Sequence, residues 1–268
     1  MAMKACRTIW FTVFYLLGTS CEEVIDRPFE NAGSSMVAVE AVMTNERIRH
    51  RVTLTKPFTS PNATPEPVTG ALVTISAGGQ SASLVEFPSG SGHYYTPELR
   101  AISGVTYRLT ITYAGKTFIA EDRSVPVEPL PALEYRNTGE GFRLIHQPAG
   151  QDPNYISHNL YWGHVDGCTD PPSCRGEVYY YDLKTIDVHE IFKPEKEIFT
   201  FPRNTIVIRK KHSVSAAYRD FLRSMLSETE WRGGLFDIQR ANVPTNLSEG
   251  AVGFFAVTTV VSDTTLIR

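Results

Sequence analysis

The sequence predicts a mainly β fold: an N-terminal β-sandwich, then a second β-rich domain that contains one amphipathic helix. Three observations carry this expectation. Between residues 35 and 124, short runs of alternating apolar and polar residues are separated by turns rich in Gly, Pro and Asn. Residues 125–131 (VPVEPLP) place three prolines in seven positions, which makes a stiff, extended connector. Val214, Ala217, Tyr218, Phe221, Leu222 and Met225 then recur at helical rather than strand spacing.

The chain opens with Lys4 and Arg7, an apolar stretch from Ile9 to Leu17, and the small residues Gly18, Thr19 and Ser20 directly before Cys21. A basic start, a short apolar core and a small-residue cleavage zone define a secretory signal peptide over residues 1–20. The apolar stretch is too short to remain as a membrane span, which needs about 20 residues. Cysteine at the first mature position predicts a bacterial lipoprotein, with lipid on Cys21. Gly18 stands where such signals usually carry leucine, and the alternative is ordinary cleavage with Cys21 incidental. Residues 21–34 then read as a lipidated tether. Glu22 and Glu23 at its start resemble the acidic export signal of Bacteroidota surface lipoproteins, the alternative being a plain solvated acidic tether.

The sandwich over 35–124 is built from seven expected strands. Val105, Tyr107, Leu109, Ile111 and Tyr113 alternate with polar residues, so one face is buried and the other wet. Val37–Met43, Arg51–Thr55, Ala71–Ile75, Ser81–Phe87, His93–Thr96 and Lys116–Glu121 complete the set. Tyr113-Ala-Gly-Lys116 reads as a hairpin turn with Gly115 at positive φ. Beyond the connector, 132–268 forms the second domain. Its strands are expected at Ala132–Asn137, Phe142–Gln147, Asn154–Val165, Glu177–Leu183, Glu197–Phe201 and Thr205–Lys210. A helix near 214–227 follows, with Ser213 as its N-cap and Gly233-Gly234 after its end. The apolar run Ala251–Val261 is dense enough to predict a central strand buried on both faces, and the helix stripe is expected to pack on it.

Charge and cysteine usage narrow the function. Loss of residues 1–20 removes two basic and no acidic residues, taking the net charge from −3 to −5, which offers no electrostatic case for nucleic acid. Cys6 leaves with the signal peptide and Cys21 takes lipid, so Cys168 and Cys174 remain as an expected disulfide in an oxidising compartment. A metal site using these thiols with His158, His164, Asp166 or Asp170 is the alternative, although five intervening residues is long for a zinc pair. No hydrolase, zincin or nucleotide-binding motif is present, so no catalytic residue, metal or cofactor is expected. His158, Trp162, His164 and Asp166 fall at even spacing, so a single strand would set them on one face as a binding surface. Tyr180, within Tyr179-Tyr180-Tyr181, adds an aromatic ring that suits stacking on a sugar. Arg209-Lys210-Lys211-His212 reads as a solvated basic strand end, and Asp263-Thr264-Thr265 resembles a short O-glycosylation acceptor.

SMVAVEAVMTNE, RVTLTKPF, VTGALVTIS, SGHYY, GVTYRLTITYAGKTFIAED, AYRDFLRSM and VPTNLSEGAVGFFAVTTV occur in that order after the signal. Together they resemble the Bacteroidota lipoprotein family DUF4249, a domain of unknown function. The resemblance is clearest over Tyr107–Ala120 and Thr245–Thr258. It implies an Ig-like or transthyretin-like first domain, no inherited catalytic residues, and the company of TonB-dependent outer-membrane receptors. The expected role is therefore that of a lipid-anchored outer-membrane protein, facing the cell surface and working non-enzymatically with such a receptor in nutrient uptake. A stand-alone glycan- or peptide-binding adhesin, or an enzyme with an unfamiliar site at His158–Asp166, are the alternatives.

Overall fold

The structure, a computed structural model, describes residues 36–57, 64–148, 150–184, 199–229 and 243–268. The expected signal peptide, Cys21, Glu22, Glu23 and Gly233-Gly234 lie outside the described residues, as do the first two positions of the strand expected at 197–201.

The fold is mainly β. Alternation in the first region produces β1 (Val37–Thr44), β2 (Ile48–Thr55), β3 (Leu72–Ala77), β4 (Gln80–Ser83), β5 (Val85–Glu86), β6 (His93–Leu99), β7 (Thr106–Tyr113) and β8 (Lys116–Arg123). In β7, Tyr107, Leu109 and Ile111 are buried and their neighbours are not, as the period of two requires. The β7–β8 hairpin turns at Ala114 (φ 48°) and Gly115 (φ 74°), the two positive φ values of a type I′ turn. The run expected as one strand at Ser81–Phe87 is two. Buried Leu84 breaks it, leaving β4 beside β3 and β5 beside β6, so the chain crosses from one sheet to the other.

The remaining elements are β9 (Glu134–Asn137), β10 (Phe142–Ile145), β11 (Asn154–Tyr161), β12 (Arg175–Asp182), β13 (Ile206–Ser213), α1 (Ala216–Thr229), β14 (Ala251–Thr258) and β15 (Val260–Leu266). Three sheets and a hairpin result. The first sheet runs β14-β1-β2-β6-β5, the second β4-β3-β7-β8 and the third β12-β11-β13-β15, while β9 pairs only with β10. The first two sheets enclose the main core, which includes Val39, Leu54, Val73, Leu109, Ile111, Phe118 and Phe255.

Phe255 belongs to the C-terminal part of the chain, so the expected division at 125–131 does not separate the sheets cleanly. β14 pairs in parallel with β1, from Val37–Ala251 to Thr44–Thr258. A parallel neighbour needs a long crossover, and here the crossover is most of the protein. Phe254–Thr258 are buried on both faces, as the density of the run suggests, but Val252 is exposed. Ala251–Val261 is not one strand: it breaks at Thr259 into β14 and β15, which lie in different sheets, and β14 is an edge strand of its sheet rather than a central one. Its free edge is covered by side chains. Asn246 Nδ2 donates to Phe255 O (2.8 Å) and to Glu121 O (2.9 Å), while its Oδ1 accepts from Phe255 N (3.1 Å). Asp122, on β8, accepts from Val257 N at 2.8 Å. These bonds satisfy backbone groups that an open edge leaves to water or to another chain, and they tie the first sheet to the second. Gly253 permits the close pairing: a Cβ there would meet Val39 O at 2.0 Å.

Alternation along β14 then serves two cores. Ala251, Phe255 and Val257 face the sandwich, while Phe254 and Ala256 meet Tyr218, Leu222 and Leu226 of α1. The expected packing of the helix on this strand is thus observed, with Tyr218 and Phe221 rings 5.1 and 5.0 Å from Phe254. Ser215, not Ser213, caps the helix, its Oγ accepting from Tyr218 N at 3.2 Å. Ser213 is still in β13 and is engaged elsewhere, donating to Val125 O and accepting from Thr259 N, each at 2.8 Å. Ala217 of the predicted stripe is exposed and Phe221 only half-buried, whereas Leu222 is 3% exposed. Leu222→Ala is therefore expected to cost about 2–5 kcal/mol, and more than Phe221→Ala. Denaturant melts of the two variants measure that order.

Candidate functional site

The predicted binding residues lie on and beside the third sheet. β11 is its second strand, hydrogen-bonded to β12 on one side and β13 on the other. The register pairs Ile156 with Tyr180, and His158 with both Val178 and Arg209. Residues directly opposite share a face, so His158, Tyr180 and Arg209 meet. The Tyr180 ring stands edge-on to His158 at 5.2 Å, and His146, just after β10, stacks flat on Tyr180 at 4.3 Å.

Trp162, His164 and Asp166 are not part of this group. β11 ends at Tyr161, and successive turns follow, in which Val165 N donates to Trp162 O (3.0 Å) and Cys168 N to Val165 O (3.1 Å). Even spacing fixes a common face only while the chain stays extended. Trp162 instead packs beside Phe199, with ring centroids 6.0 Å apart. His164 is exposed and its Nε2 lies 3.0 Å from Asn204 O, and Asp166 is exposed. Cys168 and Cys174 close the same excursion as the expected disulfide, with Cα atoms 6.2 Å apart. Both sulfurs are thereby committed, which removes the thiol metal site.

The basic run is not a solvated strand end. It lies within β13, where alternation sends Arg209 and Lys211 to the face of His158 and Lys210 and His212 to the other. Arg209 is 4% exposed and forms a two-pronged ion pair with Asp263 of β15, Nε to Oδ1 being 2.8 Å. Lys211, 1% exposed, donates to Pro129 O at 3.3 Å and lies 3.7 Å from Glu128 in the connector. Cations so buried are tolerated because each has an acidic and hydrogen-bonding partner. Asp263 is held by Arg209, and Thr264 beside it is exposed. On the opposite face, Lys210 pairs with Glu46 at 2.7 Å and His212 stacks on Tyr155 at 4.4 Å. Tyr155 also lies 5.6 Å from Tyr181, while Tyr179 at the rim donates to Glu177 (2.6 Å). The tyrosine run is thus split, Tyr180 inward and its neighbours on the other face.

Electrostatics follow the packing. Burial, then the charges of Arg209 and His146, hold the His158 imidazole down to about 4. Its Nδ1 has no hydrogen-bond partner among the described residues. His212 is held down to about 4 as well, by burial first and Lys210 second. Both rings are neutral near pH 7 and must be protonated at a cost in acid. A histidine whose folded pKa lies below its unfolded value of about 6.5 supports the fold above that value. The support is lost as pH falls from there to about 4. Stability is therefore expected to decline across that window, by up to about 1.4 kcal/mol per pH unit for each ring. His158→Gln should flatten the profile, as urea melts at a series of pH values will record.

These contacts describe a tightly paired polar interior between the third sheet and the segments carrying Glu128 and His146. His146, Asp263 and Glu128 were not apparent as members, because each comes from a distant part of the chain. The class defined by this fold is a predominantly β protein whose sandwich is completed by β14, a strand from near the end of the chain. The chain belongs to the family DUF4249, domain of unknown function, whose model matches residues 22–264. No curated protein matches the sequence.

Proposed function

We propose that this protein is a lipid-anchored lipoprotein of the outer membrane, held by Cys21 with its β-sheets toward the cell surface. It acts there as a non-enzymatic accessory or binding partner of a TonB-dependent receptor in nutrient uptake. The observation that carries this reading is the position of Cys21. It closes a signal-like segment, and the family match begins at the next residue. Nearly all of the chain after Cys21 is then family domain, which supports a mature chain that starts with its anchor. Fifteen residues separate Cys21 from β1, a tether that reaches at most about 50 Å when fully extended. Such a length lets the domain stand clear of the headgroups and reach a neighbouring barrel.

The test is purification of the native protein in mild detergent after covalent cross-linking in intact cells. A TonB-dependent receptor recovered in proportion to the lipoprotein supports the reading, and its absence from the cross-linked species counts against it. A second measurement addresses orientation. Replacing Glu22 and Glu23 with alanine is expected to leave the protein lipidated but to lower its cleavage by protease added to intact cells by several-fold. Unchanged cleavage would make the acidic pair a tether alone.

A further inference from the structure

One end of the sandwich opens into a groove of about 370 Å³ between the first and second sheets. That volume falls within the range of small-ligand sites, roughly 300–1,000 Å³. Its walls are mostly apolar, with Met43 from β1, Leu99 from β6, Ile75 from β3, and Val105 and Ile102 ahead of β7, while Gln80 and Ser81 of β4 add polar groups. Met43 and Ile75 are core residues, so the groove is a continuation of the main core toward solvent, while Ile102 at the rim is 61% exposed. β1 runs from Val37 to Thr44, so Met43 and the groove lie at the end of the strand away from the N-terminal segment. Arg100 is the one charged residue in the lining; it is exposed and has no ion-pair partner among the described residues. Tyr107 Oη, also in the lining, accepts from Ile102 N at 2.8 Å, which leaves its own proton to donate.

We infer that this groove binds a linear aliphatic carboxylate, its chain lying between the two sheets and its headgroup at Arg100. The walls exclude water from a chain without asking for polar partners, which favours an unbranched apolar tail. The exposed Arg100 offers a guanidinium, a match for the single charge and two oxygens of a carboxylate, while the Tyr107 phenol is a buried member of the lining. A doubly charged phosphate would leave half its charge without a partner, and a neutral alcohol would leave the guanidinium unmatched. The site is separate from the buried group around His158 and does not depend on a receptor partner.

The test uses the full-length, membrane-anchored protein and decanoate carrying a photoactivatable diazirine in its tail. Cross-linking is expected in peptides containing Ile75, Ala82, Leu99 or Ile102. It should be suppressed by unlabelled decanoate and not by decanol. Arg100→Glu should lower labelling at those positions roughly tenfold, the loss expected for a charge-assisted contact. Ala82→Trp, which fills the groove, should abolish labelling while the circular dichroism spectrum stays that of the wild type. Labelling spread over the surface, equal suppression by decanol, or full labelling of Arg100→Glu overturns the assignment. Competition by a peptide ending in leucine, without competition by decanoate, also overturns it, since the occupant would then be a polypeptide terminus.

Discussion

Cys21→Ser is expected to remove the protein from the outer-membrane fraction almost completely. Each buried CH₂ of an acyl chain contributes about 0.8 kcal/mol, so two or more chains on one residue give stable anchoring that a serine hydroxyl cannot supply. No helix among the described residues is long and apolar enough to cross a membrane. The apolar run Ile9–Leu17 is also too short to serve as a helical span. Fractionation on a sucrose gradient, with metabolic labelling by palmitate, reads both location and modification. Retention of the serine variant in the outer membrane, at the wild-type level, would remove the lipid from the account.

Phe255→Ala is expected to cost about 3–5 kcal/mol, the loss typical of a large aromatic removed from a packed core. Phe255 is fully buried, and its backbone N–H and C=O are both held by Asn246. A stability of 5–15 kcal/mol is usual for a domain, so this one truncation can consume much of the margin. The damage should appear in the sandwich, because Phe255 belongs to the same core as Leu54, Val73 and Phe118, not to the one under α1. Protection of β2 and β7 amides against hydrogen exchange is the measurement, and it should fall with the global stability. Unchanged protection there, with loss confined to the third sheet, would contradict the placement of β14.

That placement marks where sequence reasoning stops. Alternation in β7, the Ala114-Gly115 turn and the stripe of α1 are local patterns, and each is legible because strands and helices impose their own periods. Burial on both faces of most of β14 was legible for the same reason. Its partner was not, because pairing with Val37–Met43 is set by the whole intervening chain. The candidate site divides in the same way. His158 and Tyr180 sit on adjacent strands, and their contact follows from a register that no local pattern encodes. The grouping of Trp162, His164 and Asp166 with His158 overlooked a signal that was present: Gly163 and Gly167 flank a run that ends in a disulfide loop, which is turn chemistry. Arg209 and Lys211 looked solvated because Asp263 and Glu128, their counter-charges, are remote in sequence.

The parallel pairing of β1 with β14 also sets the order in which the molecule can be completed. β1 is among the first of these strands to emerge during synthesis, and β14 is among the last. Until the final residues arrive, one side of β1 has no strand to bond, and the cavity meant for Phe255 is empty. Contacts between the two ends of a chain are slow to form, since the loop they close must be ordered before they stabilise anything. A nascent chain of this protein therefore carries an exposed, strand-shaped template for as long as its C-terminus is delayed. Holding factors that shield such edges would act on this window, and chains truncated before Gly250 would remain in it permanently.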